Sequence, residues 1–137
     1  MRHLNVFVTR NCNSMRGLIT IILLALSNLF MTIAWYGHLQ WKETSWLKHA
    51  GIWSIILFSW GLAFFEYVLQ VPANKLGFKA NGGPFSFFEL KTIQEALSLI
   101  VFTLFLIFVV KSEKLAWNHF VGFGLIILAV IVIFKKW

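Results

Sequence analysis

GIWSIILFSWGLAFFEYVLQVP, residues 51–72, is the segment that indicates the fold class most directly. It is apolar for about the 20 residues that a transmembrane helix needs, and its one charged side chain is Glu66. An ionisable group at membrane depth costs about 2.5–3.5 kcal/mol on insertion scales, so a partner, a hydrated cavity or a bound proton must offset that cost. Gln70 follows one helical turn later, and Pro72 is expected to end the helix. Glu66 is therefore the first candidate for a functional residue.

The composition of the whole chain indicates a membrane protein. Of its 137 residues, 59% are hydrophobic and 12% are charged, whereas a soluble domain is about 45–50% apolar and about 25% charged. The formal charge of +7 comes from Lys and Arg residues scattered singly or in pairs between apolar runs. No cluster of about 5–8 basic residues is present, so nucleic acid is not an expected partner and the lipid bilayer is. The single cysteine, Cys12, excludes an internal disulfide.

The apolar runs predict an all-α fold, an integral membrane bundle of four transmembrane helices. Residues 1–16 form a polar, basic N-terminal tail, and residues 17–137 form the four-helix domain. The first fourteen residues are either native or a dispensable extension, because Met15-Arg16 also makes an ordinary start for a membrane protein. A short link after residue 110 predicts a tight antiparallel hairpin. At about 1.5 Å of rise per residue, the runs that match a bilayer are residues 17–36, 51–69, 90–110 and 117–134.

A polar stripe runs along the first predicted span. Its members recur at helical spacing on one broad face: Thr20, Ser27, Asn28, Thr32, Trp35 and Tyr36. Small polar residues at such positions either hold helices together by hydrogen bonds across the interface or line a cavity. Both interpretations stay open from the sequence.

The third span carries a second acid, Glu95. It lies about a turn and a half into the predicted helix, where it either pairs with Lys91 at the interface or faces inward in a functional role. Glu89 is expected to be structural, because Ser86 and Glu89 have the spacing of a Ser-x-x-Glu capping box that opens this helix.

Motifs of enzymes and metal sites are absent from the sequence. There is no Gly-x-x-x-x-Gly-Lys phosphate loop, no His-Glu-x-x-His and no Gly-x-Ser-x-Gly. Neither His38 nor His49 has a metal-like partner at i+3 or i+4, so no metal and no cofactor are expected. The chain is therefore not expected to be an enzyme.

The distribution of charge predicts cytoplasmic termini. Four spans place both ends on one side, which carries seven Lys and Arg residues against four on the other. By the positive-inside rule both termini lie in the cytoplasm. A start at Met15 would leave five against four, and so small a bias is typical of chains that insert both ways up.

Three long segments carry a resemblance to a known family. SNLFMTIAWYGHL (27–39), FSWGLAFFEYVLQVPANKLG (58–77) and FSFFELKTIQEALSLIVF (85–102) closely resemble an uncharacterised bacterial family of four-span proteins. That family is placed in the drug/metabolite transporter superfamily. The tail, Glu113 followed by WNHFVGFGLIILAVIVIFKK, is similar to the hairpin end that recurs in the superfamily, so the resemblance covers nearly everything after Met15.

The resemblance implies a four-helix unit distantly like the small multidrug-resistance proteins, which work as antiparallel dimers in the bacterial inner membrane. Those proteins carry their proton- and drug-binding glutamate in the middle of span one. This sequence has Ser27 and Asn28 there and no acid. A coupling acid would therefore be Glu66 in span two or Glu95 in span three.

Two functional hypotheses follow. The first is a small-solute transporter that acts as a homodimer and is proton-coupled through Glu66. Its solute is an unknown small molecule, and its binding residues are Glu66, Tyr67, Gln70, Asn28, Trp35, Tyr36, Trp60 and Glu95. The alternative is a membrane interaction or accessory protein in which Glu66 is a structural polar clasp, an interpretation that its position near the predicted end of span two favours.

Overall fold

A computed structural model of the chain describes residues 2–44, 48–110 and 116–135, with the side chains described from residue 12 onward. Within these ranges four helices are long and apolar enough to cross a membrane. They are α1 (Arg2–Gln40), α2 (Ile52–Gly77), α3 (Phe87–Phe105) and α4 (Trp117–Phe134). The described residues contain no strand beyond one isolated bridge between Phe78 and Phe85. The predicted all-α membrane bundle is confirmed.

Helix α1 lies at the centre of the bundle. It packs along α2 and also contacts α3, whereas α4 contacts α3. Most of the buried side chains belong to α1. They are Leu24 and Ala34 together with four polar residues of the stripe, Thr20, Ser27, Asn28 and Thr32. None of the residues of α4 is buried. The centre of the bundle is therefore the polar face of α1, and the outside is apolar surface suited to lipid.

Two contacts show that α1 and α2 run antiparallel. Gly77, at the end of α2, lies against Thr20 near the start of the span in α1. Further along, the rings of Phe30 and Phe65 stack with their centroids 5.9 Å apart. A residue without a side chain at position 77 lets the two backbones approach closely, as small residues do between membrane helices.

The prediction that Pro72 ends the second helix is wrong. Helix α2 continues through Pro72 to Gly77. Proline removes one backbone hydrogen bond, but a membrane helix tolerates that loss where neighbouring helices hold the next turn in place. Here Gly77 packs against α1, and its carbonyl accepts a hydrogen bond from the backbone N–H of Phe85 at 2.9 Å.

The connection between α2 and α3 is a compact turn held by Arg16 of α1. It contains a 3-10 turn over Lys79–Asn81 and then Gly82, whose φ of 78° is in the left-handed region that favours glycine. Arg16 Nη1 donates to the backbone carbonyls of Asn81 at 3.1 Å and Gly82 at 2.9 Å. The start of the first span is therefore tied to a turn 65 residues later in the chain.

The predicted capping box at the start of α3 is present. The backbone N–H of Glu89 donates to Ser86 Oγ at 3.3 Å, and the backbone N–H of Ser86 donates to Glu89 Oε2 at 2.6 Å. The same carboxylate oxygen lies 3.5 Å from Lys79 Nζ. Glu89 therefore holds both the helix start and the preceding turn, which agrees with the structural role expected of it.

The third spanning segment runs to Val110. After Phe105 it passes into a π turn over Leu106–Val110, and Gln40 Nε2 at the end of α1 donates to the carbonyl of Val109 at 3.2 Å. The predicted hairpin link at residues 111–115, with Glu113, and the end of the chain at residues 136–137 lie outside the described residues. The backbone of α1 is helical from Arg2 onward, so the predicted polar tail continues the helix of the first span.

Candidate functional site

Glu66 is buried in the interface between α1 and α2. Its side chain is 2% exposed, and its Oε2 atom has no hydrogen-bond partner among the described residues. The buried positions of α2 are Glu66, Ala73 and Gly77, whose spacing of seven and four places them on one helical face. Because Gly77 lies against Thr20, this face is directed at α1.

The longer α2 changes the position of Glu66 relative to the membrane. Glu66 is followed by eleven further helical residues, since α2 ends at Gly77. At about 1.5 Å per residue, it lies roughly 16 Å from that end. The carboxyl is therefore near the middle of the spanning helix. It is not near the helix end, where the clasp hypothesis places it.

The polar stripe of α1 makes its hydrogen bonds within its own helix. Thr20 Oγ1 donates to the carbonyl of Arg16 at 2.8 Å, and Thr32 Oγ1 donates to that of Asn28 at 2.8 Å. Ser27 Oγ and Asn28 Nδ2 both donate to the carbonyl of Leu24, at 3.1 and 2.8 Å. These hydroxyl and amide donors are therefore directed at α1 itself, and not at α2 or α3.

A polar cavity of about 410 Å³ lies between α1 and α3. It brings together four of the residues predicted from the sequence, namely Asn28, Trp35, Tyr36 and Glu95. Sequence reasoning left Thr32, Gln94 and Ser98 out of the site, although Thr32 and Ser98 stand on the polar stripes of their helices. No sequence pattern indicates Gln94 as a site residue. The complete lining is Asn28, Met31, Thr32, Trp35, Tyr36, Gln94, Glu95, Ser98, Leu99 and Phe102.

The cavity combines aromatic rings with one carboxylate. The ring of Tyr36 lies against that of Phe102, with centroids 4.8 Å apart, and Trp35 is exposed beside them. The carboxylate of Glu95 pairs with Lys91 one turn earlier at 2.5 Å, and both side chains are more than half exposed. The cavity therefore offers a negative charge whose counter-ion is an exposed lysine.

The other four predicted site residues do not line this cavity. Glu66 and Gln70 share a face of α2 at a spacing of one turn, Glu66 buried and Gln70 half-buried. Tyr67 and Trp60 are exposed on the outer surface of α2. The structure thus divides the predicted site into a buried carboxyl between α1 and α2 and a polar cavity between α1 and α3, with α1 common to both.

Comparison with known proteins identifies the family. A family model with the description "Putative member of DMT superfamily (DUF486)" matches residues 20–134. The chain belongs to the DUF486 family. The resemblance noted in the sequence is thereby confirmed, and the match contains every residue of the candidate site. No curated protein and no solved structure matches the chain.

Family and fold together describe a multi-pass, transporter-like membrane protein. The match covers nearly all of the four spanning helices, and members of the DMT superfamily are generally transporters and not enzymes. In the described part of the chain, no group of three or more His, Cys, Asp or Glu side chains could hold a metal ion. The residues of the site offer ion pairing, hydrogen bonding, proton exchange and aromatic contact.

Proposed function

We propose that this DUF486 protein is a transporter of a small solute that acts as a homodimer, with its termini in the cytoplasm and its helices in the bacterial inner membrane. The observation that carries the proposal is the cavity between α1 and α3, where Asn28, Trp35, Tyr36 and Glu95 meet. Residues far apart in sequence supply a charge, aromatic faces and polar groups to one space. Ligand sites in proteins have this combination.

The cavity favours a cationic or polar solute. A cation over the face of Trp or Tyr is attracted by the ring quadrupole, and Glu95 supplies an opposite charge at the same place. The carboxylate of Glu95 is paired with Lys91. A solute cation would take the position of the Lys91 ammonium, which is free to turn outward because it is exposed.

Glu66 is proposed as the proton site of the transport cycle. It stands at mid-helix, it is buried, and its Oε2 has no partner among the described residues. Intramembrane carboxyls in such positions commonly belong to proton relays and ion pathways. Helix α1 would couple the two sites. It packs against α2, which carries Glu66, and its Asn28 and Thr32 line the cavity with α3.

A second copy of the chain is part of the proposal. The single chain does not enclose the cavity between α1 and α3, and α4 has no buried residue. A bundle of four helices encloses little volume, and transporters commonly place their site between two related halves. An antiparallel or parallel dimer would supply the missing wall.

The competing function is that of a membrane accessory protein in which Glu66 is a polar clasp. A clasp needs a hydrogen-bond partner for its carboxyl oxygens. Among the described residues, Glu66 Oε2 has no hydrogen-bond partner, which disfavours a clasp within the single chain. The position of Glu66 near the middle of α2 disfavours interfacial water as the partner.

The test is solute flux in proteoliposomes that contain the full chain. Ethidium, a fluorescent aromatic cation, is the probe, and a proton gradient is the driving force. We expect gradient-driven ethidium flux in the wild type. Glu95→Gln should weaken binding of the cation, and Glu66→Gln should abolish dependence on the gradient.

Glu43→Gln is the matched control, because Glu43 is an exposed acid in the loop after α1 whose partner is Lys48. It should leave the flux unchanged. Flux that survives in Glu66→Gln with the same dependence on the gradient would contradict proton coupling. A panel of small cations and polar solutes, none of which is moved, would favour the accessory function.

A further inference from the structure

A second cavity lies between the first turns of α3 and the last turns of α2, and it shares Gln94 with the first cavity. Its volume is about 340 Å³, and two of its walls are the rings of Phe78 and Phe87. Polar and cationic side chains stand around these rings, among them Asn74, Lys75, Asn81 and Lys91. None of the described residues that line this cavity is acidic. We call it the lysine cavity.

Lys75 is the free cation of the lysine cavity. The ion pairs of the described residues occupy Lys79, through Glu89 at 3.5 Å, and Lys91, through Glu95, whereas none of them includes Lys75. The carbonyl of Lys75 accepts a hydrogen bond from Asn81 Nδ2 at 3.1 Å. This bond holds the Asn81 amide beside the backbone of Lys75. The amide and the Lys75 ammonium therefore border the same cavity.

The positive charge extends past the lysine cavity. A neighbouring cavity of about 380 Å³ is lined by Arg16, Pro72 and Leu76 and shares Lys75 and Asn81 with the first. Arg16 holds the turn at Asn81 and Gly82 through its guanidinium. Four cations, Arg16, Lys75, Lys79 and Lys91, therefore surround one end of the bundle, with Glu89 and Glu95 paired to two of them.

The lysine cavity lies at the adjoining ends of two spanning helices. Lys75 stands two residues before the end of α2, and Phe87 begins α3, so the cavity lies where two spans leave the hydrocarbon. Phe87 and Phe88 are strongly exposed there. Basic pockets between membrane helices on the cytoplasmic side bind anionic headgroups, and apolar walls next to the charges suit the first methylenes of acyl chains.

We propose that the lysine cavity binds the phosphate of an anionic phospholipid. The ammonium of Lys75 would pair with the phosphate, the amides of Asn74 and Asn81 would donate to its oxygens, and Phe78 and Phe87 would contact the glycerol and the upper acyl chain. Charge complementarity and the apolar walls favour this occupant over a free phosphate, because a free phosphate has no apolar part that could contact the two rings. The lysine cavity shares Gln94 with the proposed solute cavity, and its Lys91 pairs with Glu95 there, but the lipid phosphate is assigned to Lys75, which lines the lysine cavity and its neighbour and not the solute cavity.

The test uses the full chain, purified with equimolar phosphatidylglycerol and phosphatidylcholine, and counts retained lipids by native mass spectrometry. We expect retention of phosphatidylglycerol in preference to phosphatidylcholine. Lys75→Gln should reduce this retention about fivefold, since one cation near an anionic membrane surface contributes about 1 kcal/mol. Lys75→Arg should keep it, which separates loss of charge from loss of folding.

Lys48→Gln is the matched control, because it removes the same charge from an exposed position in the loop after α1, and it should retain the lipid. Phe87→Ala should lower retention without any change in charge. Equal retention of the two lipids, or full retention by Lys75→Gln, would overturn the proposal. Displacement of the lipid by excess inorganic phosphate, with Phe87→Ala behaving as wild type, would overturn it in favour of a free-phosphate site.

Discussion

Gly77 of α2 lies so close to Thr20 of α1 that a β-carbon at residue 77 would stand 2.7 Å from the Thr20 methyl carbon. Leu90 of α3 approaches the same point to 2.9 Å. Three of the four helices therefore meet at this glycine. Thr20 cannot move away cheaply, because its side chain is buried and its hydroxyl is bonded to the carbonyl of Arg16.

Gly77→Ala is expected to destabilise the bundle. Overpacking in a close-packed interface costs typically about 1–3 kcal/mol, and the methyl group at residue 77 would meet two side chains at once. The free energy of unfolding in mixed micelles measures the effect. Gly61→Ala is the control, since a β-carbon at residue 61 of the same helix meets nothing within 4 Å. Equal stability of the two variants would contradict the close contact.

Arg16→Gln is expected to loosen the turn between α2 and α3. Two hydrogen bonds to the carbonyls of Asn81 and Gly82 are lost, and bonds to a charged group contribute about 1.5–3 kcal/mol when they are well shielded. Partial exposure at this site reduces the effect to about 1 kcal/mol. Faster protease cleavage within residues 79–83 is the readout, with Lys42→Gln, an exposed cation after α1, as the control. Unchanged cleavage would show that the turn is stable without the hydrogen bonds from Arg16.

Ser86→Ala is expected to weaken the start of α3. The substitution removes the side-chain acceptor for the N–H of Glu89, and loss of an N-cap costs about 1 kcal/mol. Amide hydrogen exchange in the first turn of α3 should quicken, while exchange in α4 stays as it was. Ser86→Asp, which restores an acceptor at the cap, should reverse the change. A uniform increase of exchange in all helices would point to general unfolding instead.

Glu66→Met is expected to stabilise the protein while it removes proton-coupled flux. A buried polar atom without a partner costs about 1–3 kcal/mol, and methionine fills a similar volume without that cost. Functional residues often reduce stability in this way. The measurement is the free energy of unfolding beside ethidium flux. A loss of stability in Glu66→Met, with stability retained in Glu66→Gln, would instead identify Glu66 as a clasp.

Much of the fold follows from local sequence signals. Long apolar runs fixed the number and type of the helices, and the spacing of Ser86 and Glu89 predicted the capping box that the structure contains. Pro72 misled the prediction, because a rule about single helices does not include the contacts of Gly77 with α1. Those contacts, and not the local preference of the chain, decide where α2 ends.

The site was less predictable for a related reason. The sequence points to Glu66 as the acid of span two, and the structure places this side chain in a buried position; its functional role stays a prediction. Its separation from the cavity residues was not foreseeable, because helical spacing tells which residues share a face but not which helix that face meets. Asn28 and Glu95 come together only because α1 packs between α2 and α3.

The π turn at Leu106–Val110 has a consequence for how the chain tolerates changes in length. Such a turn holds one residue more than regular α-helix, and each residue advances a helix by about 100°. Val109 and Val110, at the end of this turn, are therefore rotated relative to the part of α3 that lines the cavity. A one-residue deletion within this turn would restore regular helix. It would also rotate Val109 away from Gln40, whose amide donates to the Val109 carbonyl. Residues 106–110 therefore set the angle at which the end of this spanning segment meets Gln40 of α1.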